Sequence, residues 1–248
     1  MDLHKPLSVQ GVHKRFKEQD VLHGVDLSVE PGEIFGLVGL NGVGKTTIIK
    51  IILNLLNADK GNTWLFDVPV ADMNSRRKMC YLPEKFIPSG YLKGTEYLSL
   101  SLAYYKRKYD HQEALALAHK LELDKKVLEQ KIGKYSKGMG QKIGLMSMFM
   151  SQAPLLILDE PMSGLDPSAR IQLKELLIEY GKKGNSIFFT SHILADIEEI
   201  CHRIAVIHNG KIIYTGAPDA FREIYAETNL ERAFLKAITS PSEMKSEV

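Results

Sequence analysis

The sequence predicts an α/β fold, and three of its stretches carry that prediction. Glu33 to Val38 is a short apolar run suited to a buried strand; the glycine-rich segment Gly39 to Thr47 follows it, and Ile48 to Leu56 is then apolar at helical spacing. Leu155-Leu156-Ile157-Leu158 reads as a strand buried on both faces, and it ends in the paired acids Asp159 and Glu160. Ser186 to Thr190 is another buried strand, with Ser191-His192 at its end. In open α/β sheets, ligands bind at the carboxyl ends of such strands.

The first stretch also carries chemistry. Gly39-Leu40-Asn41-Gly42-Val43-Gly44-Lys45-Thr46-Thr47 fits G-x-x-x-x-G-K-[ST] and stands between a strand and a helix, as a phosphate-binding loop must. Its glycines let successive N–H groups point at phosphate oxygens, and the helix N-terminus adds partial positive charge. Lys45 can reach the β- and γ-phosphates of a nucleoside triphosphate, and the Thr46 hydroxyl can ligate Mg²⁺. Beside that loop, Asp159 would hold the Mg²⁺ environment and Glu160 would orient or activate the attacking water.

In chain order, Leu7 to Val12 alternates like a half-buried strand, Lys14 to Asp20 reads as a polar turn containing Phe16, and Val21 to Val29 is a second strand region. In that turn the Phe16 ring could stack on a purine base or simply cover the sheet. Pro31-Gly32 turns into the phosphate-loop strand. Asn62 to Phe66 and Met79 to Glu84 are short strands, the first turned by Asp67-Val68-Pro69. From about Gly94 to Met150 the pattern is mostly helical: Thr95 can cap the first helix, and Ala114 to Ala118 lies in a second. Lys106-Arg107-Lys108 reads as a solvated helix face or as a contact for anionic lipid headgroups. Ser136 is an N-cap candidate for a helix whose first turn holds Gly138 and Gly140, which suggests that an anion approaches its backbone. Asp166-Pro167 starts a helix in which Ile171, Leu173, Leu176 and Leu177 pack inward. Asn209-Gly210 marks a hairpin between Ile204–Ile207 and Ile212–Tyr214, Asp219 to Tyr225 and Leu230 to Ile238 can form short helices, and Ser240 to Val248 is a polar tail.

Composition bounds the partners. The 248 residues fit one large domain or two lobes, and a net charge of +2 gives no broad nucleic-acid footprint. Cys80 and Cys201, the two cysteines, lie far apart, which suits a reducing, cytosolic compartment. The N-terminus has no secretory pattern, and no apolar run is long enough to span a bilayer, so a membrane process would need another chain.

Taken together, the motifs from about residue 7 to 216 resemble the nucleotide-binding subunit of an ATP-binding cassette (ABC) transporter, of the bacterial exporter type with a separate membrane chain. The Walker A loop matches Gly39 to Thr47, Walker B matches Leu155 to Asp159 followed by Glu160, the D-loop matches Gly164-Leu165-Asp166, and the switch histidine matches His192. Phe16 matches the adenine-stacking aromatic. The resemblance implies a P-loop NTPase (RecA-like) core with an N-terminal antiparallel β subdomain and an inserted helical subdomain. A single domain is expected over 1–240: 1–86 and 151–216 as the core, 87–150 as the helical subdomain and 217–240 as C-terminal helices, with 241–248 a polar tail. Two positions depart from the family pattern. The signature L-S-G-G-Q reads Tyr135-Ser136-Lys137-Gly138-Met139, and Glu84 stands where the Q-loop has glutamine, keeping a possible contact to Mg²⁺ but losing a donor.

The resemblance implies an ATPase with catalytic Glu160, His192 and Lys45. It implies ATP held by Phe16, the loop Gly39 to Thr47, and Ser136 and Gly138 from a second, head-to-tail subunit in a homodimer or paired cassette. It implies Mg²⁺ at Thr46, Asp159 and Glu84, an integral membrane permease as partner, no nucleic acid, and a cytoplasmic place on the inner face of the cell membrane. A groove for the permease is expected around Glu84, Phe86, Ile87, Tyr91 and Leu92, unless these residues serve the helical lobe's own packing. The rival expectation is a soluble ABC ATPase acting on nucleic acid or ribosomes. Against it, there is no room for a long coiled coil between Thr47 and Leu155, and the chain holds one cassette, not two.

Overall fold

A computed structural model describes residues 4–239. Strands β1 (Leu7–Phe16) and β2 (Gln19–Val29) pair antiparallel, and β4 (Lys60–Leu65) and β5 (Val68–Pro69) extend them into a four-stranded sheet ordered β2-β1-β4-β5. The second sheet joins β3 (Ile34–Val38), β6 (Met79–Leu82), β7 (Leu155–Asp159), β8 (Ser186–Ser191), β9 (Arg203–His208) and β10 (Lys211–Gly216) in the order β10-β9-β3-β8-β7-β6. All its pairings are parallel except the β9–β10 hairpin, whose Asn209 and Gly210 both take positive φ, 46° and 71°. Two positive angles in succession are what a two-residue hairpin requires.

Why the parallel strands read as unbroken apolar runs is plain from their two faces. Phe35, Leu37, Leu155, Ile157 and Phe188 face a core shared with the antiparallel sheet and with α1 (Lys45–Ile52), which contributes Ile48, Ile49 and Ile52. Ile34, Val38, Leu156, Leu158, Ile187 and Phe189 face a second core closed by helices. These helices are α2 (Gly94–Tyr104), α3 (His111–Lys120), α4 (Lys137–Ser151), α5 (Pro167–Lys182), α6 (Leu194–Ile200), α7 (Pro218–Ile224) and α8 (Leu230–Thr239). A side-chain period of two splits each strand between the two cores, so no position can be polar without cost. No helix among the described residues is long and apolar enough to cross a membrane.

Several expectations need correcting. Phe16 does not lie in a loose turn: β1 runs on to it, pairing Phe16 with Gln19, and only Lys17 and Glu18 turn the chain. Cross-strand pairing satisfies the backbone of these polar residues, which is why their side-chain chemistry misled. Val68 and Pro69 pair with Leu65 and Trp64 as an edge strand instead of merely turning. The cap of α2 is Lys93, not Thr95; Glu96 accepts the Lys93 backbone N–H at 2.8 Å, tying off the helix start two residues earlier. Lys106 to Lys108 follow α2 in a loop and form no helix face. In α5, Leu173 and Leu177 are buried, but Ile171 is 52 % exposed because it points away from the sheet. The tail expected beyond Thr239 lies outside the described residues.

Candidate nucleotide site

Gly44 precedes α1 with φ 111°, and a β-carbon there would stand 2.7 Å from Leu22 Cδ2, so both backbone angle and space demand glycine. The first N–H groups of α1 have no acceptor within the helix and open into a cleft of 330 Å³. Asn41, Gly42, Gly44, Lys45, Thr46, Thr47, Glu84, Asp159, Glu160 and His192 line it. Residues from four separate elements thus meet at the carboxyl ends of β3, β6, β7 and β8.

Within the cleft, Lys45 Nζ donates to the carbonyls of Gly39 at 2.6 Å and Leu40 at 3.2 Å, and stands 3.7 Å from Glu160 Oε1. Burial pulls the Lys45 ammonium below the usual lysine range, while the charges of Glu160, Asp159 and Glu84 oppose that shift. A buried cation facing open space in this way gains most from an incoming polyanion. The Thr46 hydroxyl donates to Asp159 Oδ2 at 3.2 Å, bringing two oxygens together. With Glu84 they form an all-oxygen donor set, which suits a hard cation such as Mg²⁺. Among the described residues no cluster of three acidic, histidine or cysteine side chains could cage a metal, so water and phosphate oxygens would complete its shell.

Glu160 is buried, and His192 Nδ1 lies 2.7 Å from its Oε2, with the His192 backbone N–H at 3.3 Å from the same oxygen. Its other oxygen, Oε1, is buried without a hydrogen-bond partner. The Glu160 backbone takes φ 51°, unusual for a residue with a side chain, and turns the carboxylate back from the strand end. Thr190, which sequence reasoning passed over, holds both acids. Its hydroxyl donates to Asp159 Oδ1 at 2.7 Å and accepts from the Glu160 N–H at 3.1 Å. A hydroxyl residue closing an apolar strand beside Ser191-His192 was the available signal.

Of the expected binding residues, Gly39, Leu40 and Val43 belong to the loop but do not line the cleft, and three more lie elsewhere. Phe16 ends β1 and is 44 % exposed, with Lys14 Nζ 5.5 Å from its ring centroid, and it does not line the cleft. Ser136 and Gly138 stand at the start of α4, where the Ser136 hydroxyl accepts the Met139 N–H at 3.2 Å, and they too do not line it. The second turn of α4 grips the segment that leaves Glu160. Gln141 Nε2 donates to the Pro161 carbonyl at 3.2 Å, and Lys142 Nζ to Asp166 Oδ2 at 3.4 Å. The Lys137 stem lies 3.3–3.6 Å from where a β-carbon on Gly164 would stand. Lys137 therefore packs along its own chain's turn.

A family model described as ABC transporter matches residues 22–163. The chain is 37% identical over 199 residues to an uncharacterized ABC transporter ATP-binding protein of Synechocystis, a match covering 79% of this chain and 56% of that protein. It is 34% identical over 217 residues to the Nod factor export ATP-binding protein I of Burkholderia thailandensis, covering 86% of this chain and 71% of that one. The chain thus spans between 56% and 71% of the length of these two curated relatives. A solved structure of the ATP-binding subunit of an ABC transporter superposes with a TM-score of 0.86 at 31% identity, covering 93% of this chain and 98% of that one.

Proposed function

The chain belongs to the ABC transporter family as an ATP-binding subunit, and from that premise we propose that it hydrolyses ATP to drive export through a separate membrane permease. The observation that carries the reading is Glu160 Oε1, buried without a hydrogen-bond partner 3.7 Å from the Lys45 ammonium. A carboxylate oxygen with no hydrogen bond, beside a phosphate-binding loop, can accept a proton from an attacking water. His192 fixes the orientation of the other oxygen. The loop Gly39 to Thr47 holds the phosphates through its N–H groups, and Lys45 exchanges the Gly39 and Leu40 carbonyls for phosphate oxygens. Mg²⁺, when bound at Thr46, Asp159 and Glu84, would neutralise phosphate charge.

Ser136 and Gly138 complete the site from a second chain facing head to tail, because neither lines the cleft of its own chain. The pair is a homodimer or a paired cassette. Phe16 is proposed to stack on the adenine. The domain limits proposed are 1–86 with 151–216 for the core, 87–150 for the helical subdomain, and 217–240 for the C-terminal helices.

For the permease, the two expected roles of the 84–92 segment divide by residue. The Phe86 ring packs edge-on to Tyr97, with centroids 5.6 Å apart, and serves the lobe. Ile87 and Tyr91 are 87 % and 88 % exposed, and form the surface proposed for docking. That docking places the subunit in the cytoplasm, against the inner face of the membrane. Export is the direction proposed because the Burkholderia relative is named for it.

The test is Glu160→Gln. Hydrolysis falls by roughly 10²–10⁴-fold, while ATP and Mg²⁺ drive the variant into dimers on gel filtration. A variant that hydrolyses at the parent rate would remove Glu160 from the reaction, and one that stays monomeric would remove the shared site.

A further inference from the structure

The nucleotide cleft lies at the carboxyl ends of the parallel strands; a second cleft, of 620 Å³, lies at the amino ends of β6 and β7. Met73, Arg77 and Lys78 line it from the 3₁₀ helix Met73–Lys78, Tyr104, Tyr105 and Lys106 from the end of α2, and Ser151 to Pro154 form the floor. No residue is common to the two clefts. Lys106, the first residue of the run that reads as a solvated helix face or a contact for anionic lipid headgroups, thus meets a second basic segment some thirty positions earlier in the chain.

Three cations line this cleft and no carboxylate does. Neighbouring charges are already engaged: Arg107 lies 3.6 Å from Glu113, and Arg76 donates to the Val70 carbonyl at 2.5 Å. Lys78 Nζ lies over the Phe66 ring at 5.4 Å from its centroid and makes no ion pair among the described residues. The side chains of Arg77 and Lys106 have no hydrogen-bond or ion-pair partner among the described residues.

A simpler account would have these cations complement the negative ends of α2 and α4, which both stop here. The helix ends, however, are largely closed by their own backbone. Leu102 O accepts from Tyr105 and Arg107, Ala103 O from Lys106, and Phe149 O from Gln152. The Ser151 hydroxyl takes Met148 O at 2.6 Å. Lys106 moreover holds φ 56° at the position after a helix where glycine is the easier residue. The lysine side chain stands there at a backbone cost.

We propose that this cleft binds a phosphate-bearing anion, with Arg77, Lys78 and Lys106 on the phosphate and Tyr104 and Met73 against the carbon portion. A guanidinium offers paired donors that match phosphate oxygens, and lysine ammonium groups add point charge. Tyr104 and Met73 are 65 % and 78 % exposed at the rim, where an acyl chain or a sugar ring would lie. The same chemistry is presented by an anionic lipid headgroup and by a soluble phosphate ester. The site does not depend on the reaction proposed above.

The experiment compares the parent chain, Arg77→Ser with Lys106→Ser, and Lys45→Ala. The probes are phosphatidylcholine vesicles with and without phosphatidylglycerol, and inorganic phosphate. Binding to the anionic vesicles that weakens roughly 30-fold on losing the two charges, and survives Lys45→Ala, identifies a lipid headgroup. Absence of vesicle binding, with phosphate raising the melting temperature of the parent and of Lys45→Ala but not of the double variant, identifies a soluble ester. Either probe binding the double variant as well as the parent, or neither probe binding the parent, overturns the site. Unchanged ATP affinity in the double variant verifies that it folds, and separates failure here from failure of the nucleotide reading.

Discussion

The Thr190 hydroxyl donates to Asp159 Oδ1 at 2.7 Å, from the neighbouring strand. One hydrogen bond therefore fixes the carboxylate whose other oxygen receives the Thr46 hydroxyl. Thr190→Val keeps the shape and removes the donor. It should raise the Mg²⁺ concentration needed for half-maximal ATPase activity by roughly 10–100-fold. The stability cost should be about 1–3 kcal/mol, from the carboxylate oxygen left unpaired. Thr190→Ser, which restores the hydroxyl, should recover the Mg²⁺ dependence; a metal titration of both variants decides.

His192→Ala removes the ring nitrogen 2.7 Å from Glu160 Oε2. Turnover should fall on the order of 10²-fold, with ATP affinity unchanged because the loop contacts remain. Single-turnover hydrolysis alongside equilibrium nucleotide binding separates the two quantities, and a fall confined to affinity would contradict the assignment.

Gly42→Ala and Gly44→Ala test the loop by difference. Both glycines have positive φ, 84° and 111°, so each alanine costs about 1–3 kcal/mol of strain. Gly42 has nothing within 4 Å of an added β-carbon, whereas Gly44 meets Leu22 at 2.7 Å. Urea unfolding should show Gly44→Ala as the more destabilised variant, with the gap between them reporting the Leu22 clash.

The Asp166 carboxylate caps α5 by accepting the Ala169 N–H at 2.9 Å. That bond, aided by Lys142, holds its carboxyl below the usual aspartate range. A depressed carboxyl stabilises the fold above its unfolded pKa, and that contribution is lost as pH falls through the folded value. The Asp166 side chain is 55% exposed, so solvent screening keeps the effect small. Asp166→Asn should flatten the acid limb of a melting-temperature profile below the ordinary aspartate range and leave the neutral limb nearly level.

Local grammar was the legible part of the sequence. A loop whose function lies in its own backbone, Gly39 to Thr47, can be read without knowing its neighbours. So can an apolar strand ending in acids, and the cleft gathers Lys45, Thr46, Glu84, Asp159, Glu160 and His192 as their strand-end positions required. What escaped depended on pairing. The residues around Phe16 read as a turn because β1's polar end is held by cross-strand hydrogen bonds, which leave no mark on composition. Ile171 reads as inward because helical spacing gives a face's width but not its centre. Thr190 was missed because a hydroxyl in an apolar strand acquires meaning only from the two carboxylates beside it.

The grip of α4 on the segment after Glu160 bears on how two such chains would respond to one another. Gln141 holds Pro161, Lys142 holds Asp166, and the Lys137 stem covers Gly164, so the outward-facing Ser136 end and the inward-facing carboxylate share one rigid bracket. In a head-to-tail pair, a phosphate drawing on Ser136 of one chain would tug the Glu160 backbone of that same chain, which serves the other nucleotide. The two ATP molecules would then sense each other through protein alone, and hydrolysis should rise with ATP more steeply than a simple hyperbola.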